Sequence, residues 1–178
     1  AAMSTSSQSS FFGYQAGLAT TGAANNFFGL AAGIATTSGI HNVAMGNLAL
    51  YTNVDGDDNV AIGSNALRNL EPADGSSYNT AVGSHAAINL SSATKNTHIG
   101  SYAGGVGVIT GTRNNTFGFE AGKALTSGTN NVFMGSLSGK AFTTGISNTV
   151  CGEAALITEA AGDKNTAIGA EALKAQNG

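Results

Sequence analysis

The sequence has no tryptophan, one cysteine and one proline among its 178 residues, and aromatic residues make up only 7 % of it. With so few rings, a core has to be assembled from Ala, Val, Ile and Leu, which points to a thin, repetitive interior. The lone thiol, Cys151, cannot form an internal disulfide and leaves the redox compartment undecided. Charged residues amount to 10 %, well under the roughly one quarter usual in soluble domains. The 7 Lys and Arg are scattered and the formal net charge is −3, so there is no basic footprint for a phosphate backbone or an anionic lipid surface. Nucleic acid is therefore not an expected partner. No run approaches the ~20 apolar residues that span a bilayer, and membrane insertion is not expected either. The first eight residues, Ala1 to Gln8, carry neither a basic nor an apolar signal region. With a Met at position 3, they read as a leader or cloning remnant, and residues 9–178 as a repeat domain cut from a longer chain.

What the sequence has in quantity is glycine, 26 residues of it, together with a 42 % hydrophobic fraction that is too high for simple disorder. The glycines mark a repeat. A phrase of the type Asn-Thr-Ala-Val-Gly-Ser-x-Ala recurs with its Gly at 13, 29, 46, 63, 83, 100, 118, 135, 152 and 169. The intervals are 16, 17, 17, 20, 17, 18, 17, 17 and 17 residues, giving ten copies at a period of 17. Four residues before each Gly stands an Asn, from Asn25 to Asn165, with Ser9 in the first copy; three residues after it stands an Ala, from Ala16 to Ala172, with Ser138 the exception.

The residue just before each Gly is apolar every time: Phe12, Phe28, Met45, Ile62, Val82, Ile99, Phe117, Met134, Cys151 and Ile168. This column is expected to form the core, and Cys151 within it reads as a small buried hydrophobe, not a nucleophile. Two positions earlier, seven of ten residues are Val or Thr, and β-branched residues at period 2 indicate a short strand. A Gly in every unit and Asn, Gly, Ser and Thr connections every few residues argue against helices. At ~3.3 Å per residue one unit has a contour of roughly 55 Å, enough to circle a flattened or triangular solenoid once. Ten coils ~4.8 Å apart make a rod roughly 50 Å long, in which each Asn stacks on the next as an amide ladder. The fold expected is all-β, a parallel β-solenoid or β-roll. The middle residue of each strand, expected to face outward, is also mostly apolar: Phe11, Phe27, Ala44, Ala61, Ala81, Phe133, Val150 and Ala167, against His98 and Thr116. A strand apolar on both faces is usually covered on both, and the cover expected is a second protomer in a symmetric fibre.

Phrases such as Asn59-Val-Ala-Ile-Gly-Ser-Asn-Ala-Leu67, Asn79-Thr-Ala-Val-Gly-Ser-His-Ala-Ala87 and Asn165-Thr-Ala-Ile-Gly-Ala-Glu-Ala-Leu173 resemble the Asn-Thr-Ala-Val-Gly repeats of bacteriophage tail-fibre proteins over residues 9 to 173. They are also similar, more distantly, to the head β-roll of trimeric autotransporter adhesins, whose repeats carry a Val-Ala-Ile-Gly phrase. Both resemblances imply an extended homotrimer that attaches a virion, or alternatively a bacterial surface, to a glycan or protein receptor on a host. The 17-residue unit is longer than the usual autotransporter head repeat, and the Ser usual three residues after the Gly is here Ala in nine copies, which favours the fibre. Ile62-Gly-x-x-Ala-Leu67 and Ile99-Gly-x-x-Ala-Gly104 further resemble the hexapeptide of left-handed β-helix acyltransferases, but that motif falls three times per coil and here falls once.

No enzyme activity and no cofactor are expected. His41, His85 and His98 fall at different points of the repeat, and no orienting carboxylate recurs with them. Glu120 and Glu171, as a glycan-cleaving pair, share a column but lie three coils apart, ~14 Å, beyond the roughly 5 to 9.5 Å such chemistry uses; both read as solvated surface charges. The turn carrying Asp55, Asp57 and Asp58 offers oxygen ligands, yet lacks the spacing and terminal Glu of an EF-hand loop, so calcium is left open and no metal is assigned. The longest interval contains the stretch Leu70 to Tyr78 and the single proline. Insertions in a solenoid become surface loops, where binding specificity concentrates. Glu71, Asp74 and Tyr78 are therefore the candidate ligand contacts, with Tyr102 and Arg113 of the next long unit beside them.

Overall fold

The computed structural model describes residues 8–71, 75 and 77–174. Within them the chain forms ten three-residue strands: β1 (Ser10–Phe12), β2 (Asn26–Phe28), β3 (Val43–Met45), β4 (Val60–Ile62), β5 (Thr80–Val82), β6 (Thr97–Ile99), β7 (Asn115–Phe117), β8 (Val132–Met134), β9 (Thr149–Cys151) and β10 (Thr166–Ile168). They make one parallel sheet in chain order, β1 to β10. Pairing stays in register throughout, Phe11 against Phe27, Ala44 against Ala61 and Phe133 against Val150. One strand per repeat and parallel neighbours in sequence order define a β-solenoid with one coil per repeat.

Each strand ends at the repeat glycine. After Gly13 the Ala16 amide donates to the Gly13 carbonyl and the Leu18 amide to that of Gln15. Gln15 and Gly17 lie at φ 58° and 59°, so two overlapping turns of type II pattern fold the chain away from the sheet. The other sides are held by the same stacking without long strands: the Gly17 amide donates to the Ala32 carbonyl, and the Thr21 amide to that of Thr37. Gly118 shows why the first glycine column is obligatory. Its φ is +136°, and a Cβ there would sit 2.5 Å from the Gly135 carbonyl oxygen in the next coil. A second glycine column, three residues before the Asn, is equally tight: a Cβ on Gly111 would lie 1.9 Å from the Gly128 oxygen.

The asparagine ladder forms inside the coil wall. Asn114 Oδ1 accepts from the Asn131 amide at 3.1 Å and from Asn131 Nδ2 at 3.0 Å, while Asn131 Nδ2 also donates to the Gly145 carbonyl at 2.8 Å. Each Oδ1 from Asn25 to Asn148, all buried, accepts the next asparagine's backbone amide. Nδ2 donates to a second-column glycine carbonyl from Asn25, Asn42, Asn96, Asn114, Asn131 and Asn148, and to the Ala93 carbonyl from Asn79. The ladder thus ties the asparagine column to the second glycine column, a link the repeat phrase alone did not reveal.

The strand faces are the reverse of the sequence expectation. The mid-strand column points inward: Phe27, Ala44, Ala61, Ala81, His98, Thr116, Phe133 and Val150 are fully buried. The pre-glycine column faces outward, with Phe12 76 %, Met134 46 % and Ile62 36 % exposed; Cys151 is half-buried on that outer face and is not a core residue. The interior also holds the Ala column and a further buried column that includes Leu70, Leu90, Ile109, Leu125 and Phe142. Where the mid-strand residue is large, the residue six positions later is glycine. A Cβ on Gly33 would lie 2.4 Å from the Phe27 ring, and one on Gly139 2.8 Å from the Phe133 ring. Where the mid-strand residue is Ala44 or Ala61, the sixth position holds buried Leu50 or Leu67 at φ 53° and 47°.

Candidate functional site

The outer face of the sheet is the most extended surface feature. Pre-glycine side chains stack along it from Phe12 to Ile168, each shielding part of its neighbour, with Val82, Phe117 and Cys151 half-buried between exposed Met45, Ile99 and Met134. Tyr14, Leu30 and Phe119, in the turns just past the glycine, are also exposed, at 71, 49 and 51 %. At about 200 Å² per large side chain, the pre-glycine column alone exposes on the order of 700 Å² of largely apolar surface, comparable with the ~800 Å² each partner contributes to a standard stable interface.

The five candidate contact residues do not converge. Tyr78 and Arg113 share one corner column, the residue before the Asn, both exposed and left-handed at φ 52° and 57°, with Lys95 between them in the stack. Tyr102 belongs to the corner on the other side of the strand, where its ring stacks on His85 at 4.8 Å and lies under Lys123 Nζ at 5.4 Å. Glu71 is exposed and its amide donates to the Ser91 carbonyl. Asp74 lies outside the described residues.

The remaining polar candidates are engaged with the scaffold. Asp57 accepts from the Ile40 amide at 2.8 Å, and Asp58 faces His41 at 3.5 Å. Among the described residues no three His, Cys, Asp or Glu side chains group as metal ligands. Glu120 is bound at 2.6 Å by Lys123 and at 2.9 Å by Lys140, with its side chain only 12 % exposed. It is thus a pinned group, not the solvated charge its sequence position suggested. Hydrogen bonds from Lys123 and then Lys140 hold its carboxyl below the usual carboxylate range. Glu171, more open, pairs with Lys174 at 2.6 Å. His98 is buried in the interior, where desolvation lowers its pKa from 6.5 to about 3. A shallow, mainly apolar groove lies on another side, between Val106, Lys123, Ala124, Lys140, Ala141 and Ile157.

The apolar outward column expected from the sequence is present, at the opposite parity of the strand. The signal that identifies it is the glycine six residues after each mid-strand ring, Phe11, Phe27, His98 and Phe133, where Ala44 and Ala61 are instead followed by Leu; Val150, followed by buried Leu156, does not follow the exchange. Comparison with family models, with curated proteins and with solved structures finds no match for this chain.

Proposed function

We propose that the chain is a structural and adhesive segment of a bacteriophage tail fibre, in which three copies lie side by side with their outer sheet faces turned to a common axis. The observation that carries this reading is the unbroken apolar stripe from Phe12 to Ile168. A uniform stripe over ten in-register coils matches another copy of itself better than any compact partner, because the two repeat at the same spacing. The recurrent Asn-Thr-Ala-Val-Gly phrase supports the fibre assignment, and the virion is then the place of action. The role proposed is mechanical and recognitive, with Glu120 held by two lysines and His98 buried against Thr116 as parts of the scaffold.

Receptor contact, to a neutral glycan or a protein surface, is assigned to departures from the repeat and in the first place to the insertion between Leu70 and Tyr78. The test replaces residues 71–77 by Thr-Ser-Gly-Thr, which restores the 17-residue period. Wild type and variant are compared for retention on candidate host cells and on a glycan array, with mass and melting temperature as controls. Loss of retention with mass and melting unchanged is expected for a receptor site at the insertion; unchanged retention refutes that site.

A further inference from the structure

Eight of the ten mid-strand residues are Phe, Ala or Val, and the two exceptions are neighbours: His98 on β6 and Thr116 on β7. Both are fully buried, with His98 Nδ1 2.9 Å from Thr116 Oγ1 and His98 Nε2 buried without a partner. The apolar interior divides at the same place, into one cluster reaching from Ala16 to Ile109 and a second from Ala121 to Ala167. The imidazole is accommodated because residue 104 is glycine; a Cβ there would lie 2.1 Å from Nδ1.

We propose that the His98–Thr116 contact is an acid-sensitive joint, at which proton uptake by the imidazole opens the stack between the sixth and seventh coils while the apolar clusters on either side stay folded. A solenoid is held by nearest-neighbour coil interfaces, so the weakest interface opens first. This one has a polar pair where the others have apolar contacts. On protonation both ring nitrogens become donors, and Nε2 then carries a charged N–H into a space without an acceptor. Ala81 pairs beside the ring on one side and Thr116 on the other. The titratable groups of the adjoining coils, His85, Lys95, Tyr102, Arg113, Glu120 and Lys123, occupy half-buried or exposed corner positions, so no carboxylate faces the ring to compensate its charge.

The direction follows from linkage. Burial depresses the native pKa to about 3 against an ordinary 6.5, so the opened form binds the extra proton. Closure is fully favoured above pH 6.5 and weakens as the pH falls toward the native value. For one proton, the opening equilibrium rises about tenfold per pH unit across that window.

Amide hydrogen exchange on the full chain, corrected for intrinsic rates, tests the joint between pH 7 and 4.5. The control variant is His98→Phe, whose ring fits above a glycine as Phe27 and Phe133 do. Wild type is expected to keep full protection between pH 7 and 6.5 and, below that, to lose about tenfold per pH unit in segments 96–104 and 114–122, with segments 43–50 and 132–139 unchanged. His98→Phe is expected to lack that dependence. Uniform loss along the chain, pH-independent protection at the joint, or a pH-dependent loss that persists in His98→Phe would each overturn the proposal. If His98→Phe does not fold, a carbon-13 titration of the His98 ring in wild type decides: a ring still neutral at pH 5 while joint exchange has risen supports the joint, and ordinary titration near 6.5 without a change in exchange overturns it.

Discussion

Asn131 shows how much a single side chain does in this scaffold. Its carboxamide receives the Asn148 amide at 3.0 Å and Asn148 Nδ2 at 2.9 Å, and gives its own protons to Gly145 and to Asn114. Asn131→Ala would leave a buried N–H and a buried carbonyl without partners, and we expect a loss of roughly 2–4 kcal/mol, measured by urea denaturation. Glu120 gives the contrasting case. It touches only lysines near the surface, so Glu120→Gln should cost below about 1 kcal/mol at neutral pH. Its native pKa is lowered from 4.5, so the carboxylate contributes stability above pH 4.5 and that contribution fades as the pH falls through the native value. The gap between the wild-type and Glu120→Gln melting curves should accordingly narrow as the pH is lowered and close only once it has fallen through the lowered native value; a gap that is unchanged by acid would contradict the assignment. The ladder was readable from sequence because identical residues at one period can only stack on one another. The second glycine column escaped notice because its partner is a backbone carbonyl, and no side-chain pattern marks a carbonyl.

At the scale of the coil, the exchange of volume between mid-strand and turn is the strongest internal constraint. Phe27→Ala should cost about 3–5 kcal/mol by leaving a cavity. Gly33→Leu alone should not fold, because the Phe27 ring occupies the space its Cβ needs. Combined, the two changes reproduce the Ala44 and Leu50 pair of the next coil, whose Leu already sits at φ 53°. The double variant should fold and be more stable than Phe27→Ala, measured by urea denaturation; a double variant that fails to fold, or that is less stable than Phe27→Ala, would refute shared volume. Period 2 told that a strand was present and that its two sets of residues face opposite ways. It could not say which set lies inside, because both are apolar, and the choice was made by turns that bring Leu50 and Ala49 into the same interior. The corrected parity has a direct consequence. Ala61→Asp buries an unpaired charge and should abolish folding, while its neighbour Ile62→Asp should retain the β circular dichroism spectrum. The opposite ranking would place the pre-glycine column inside the coil.

Over the described residues the molecule is a rod with an apolar stripe along its outer sheet face and an ionic cluster around Glu120, and its sequence has its longest repeat interval between Gly63 and Gly83. The rod was legible in the sequence from ten evenly spaced glycines. A convergent binding site was not, because Tyr78 and Tyr102 lie at corners on opposite sides of the strand, a separation set by the turns and invisible in residue type. The stripe on the outer sheet face carries the functional reading, and the molar mass in solution tests it most directly. Light scattering coupled to size exclusion is predicted to give three times the 17.5 kDa protomer for wild type. For Ile62→Asp combined with Ile99→Asp it should give the single protomer mass with the β spectrum retained. A wild-type chain that elutes as a stable 17.5 kDa monomer would contradict the account.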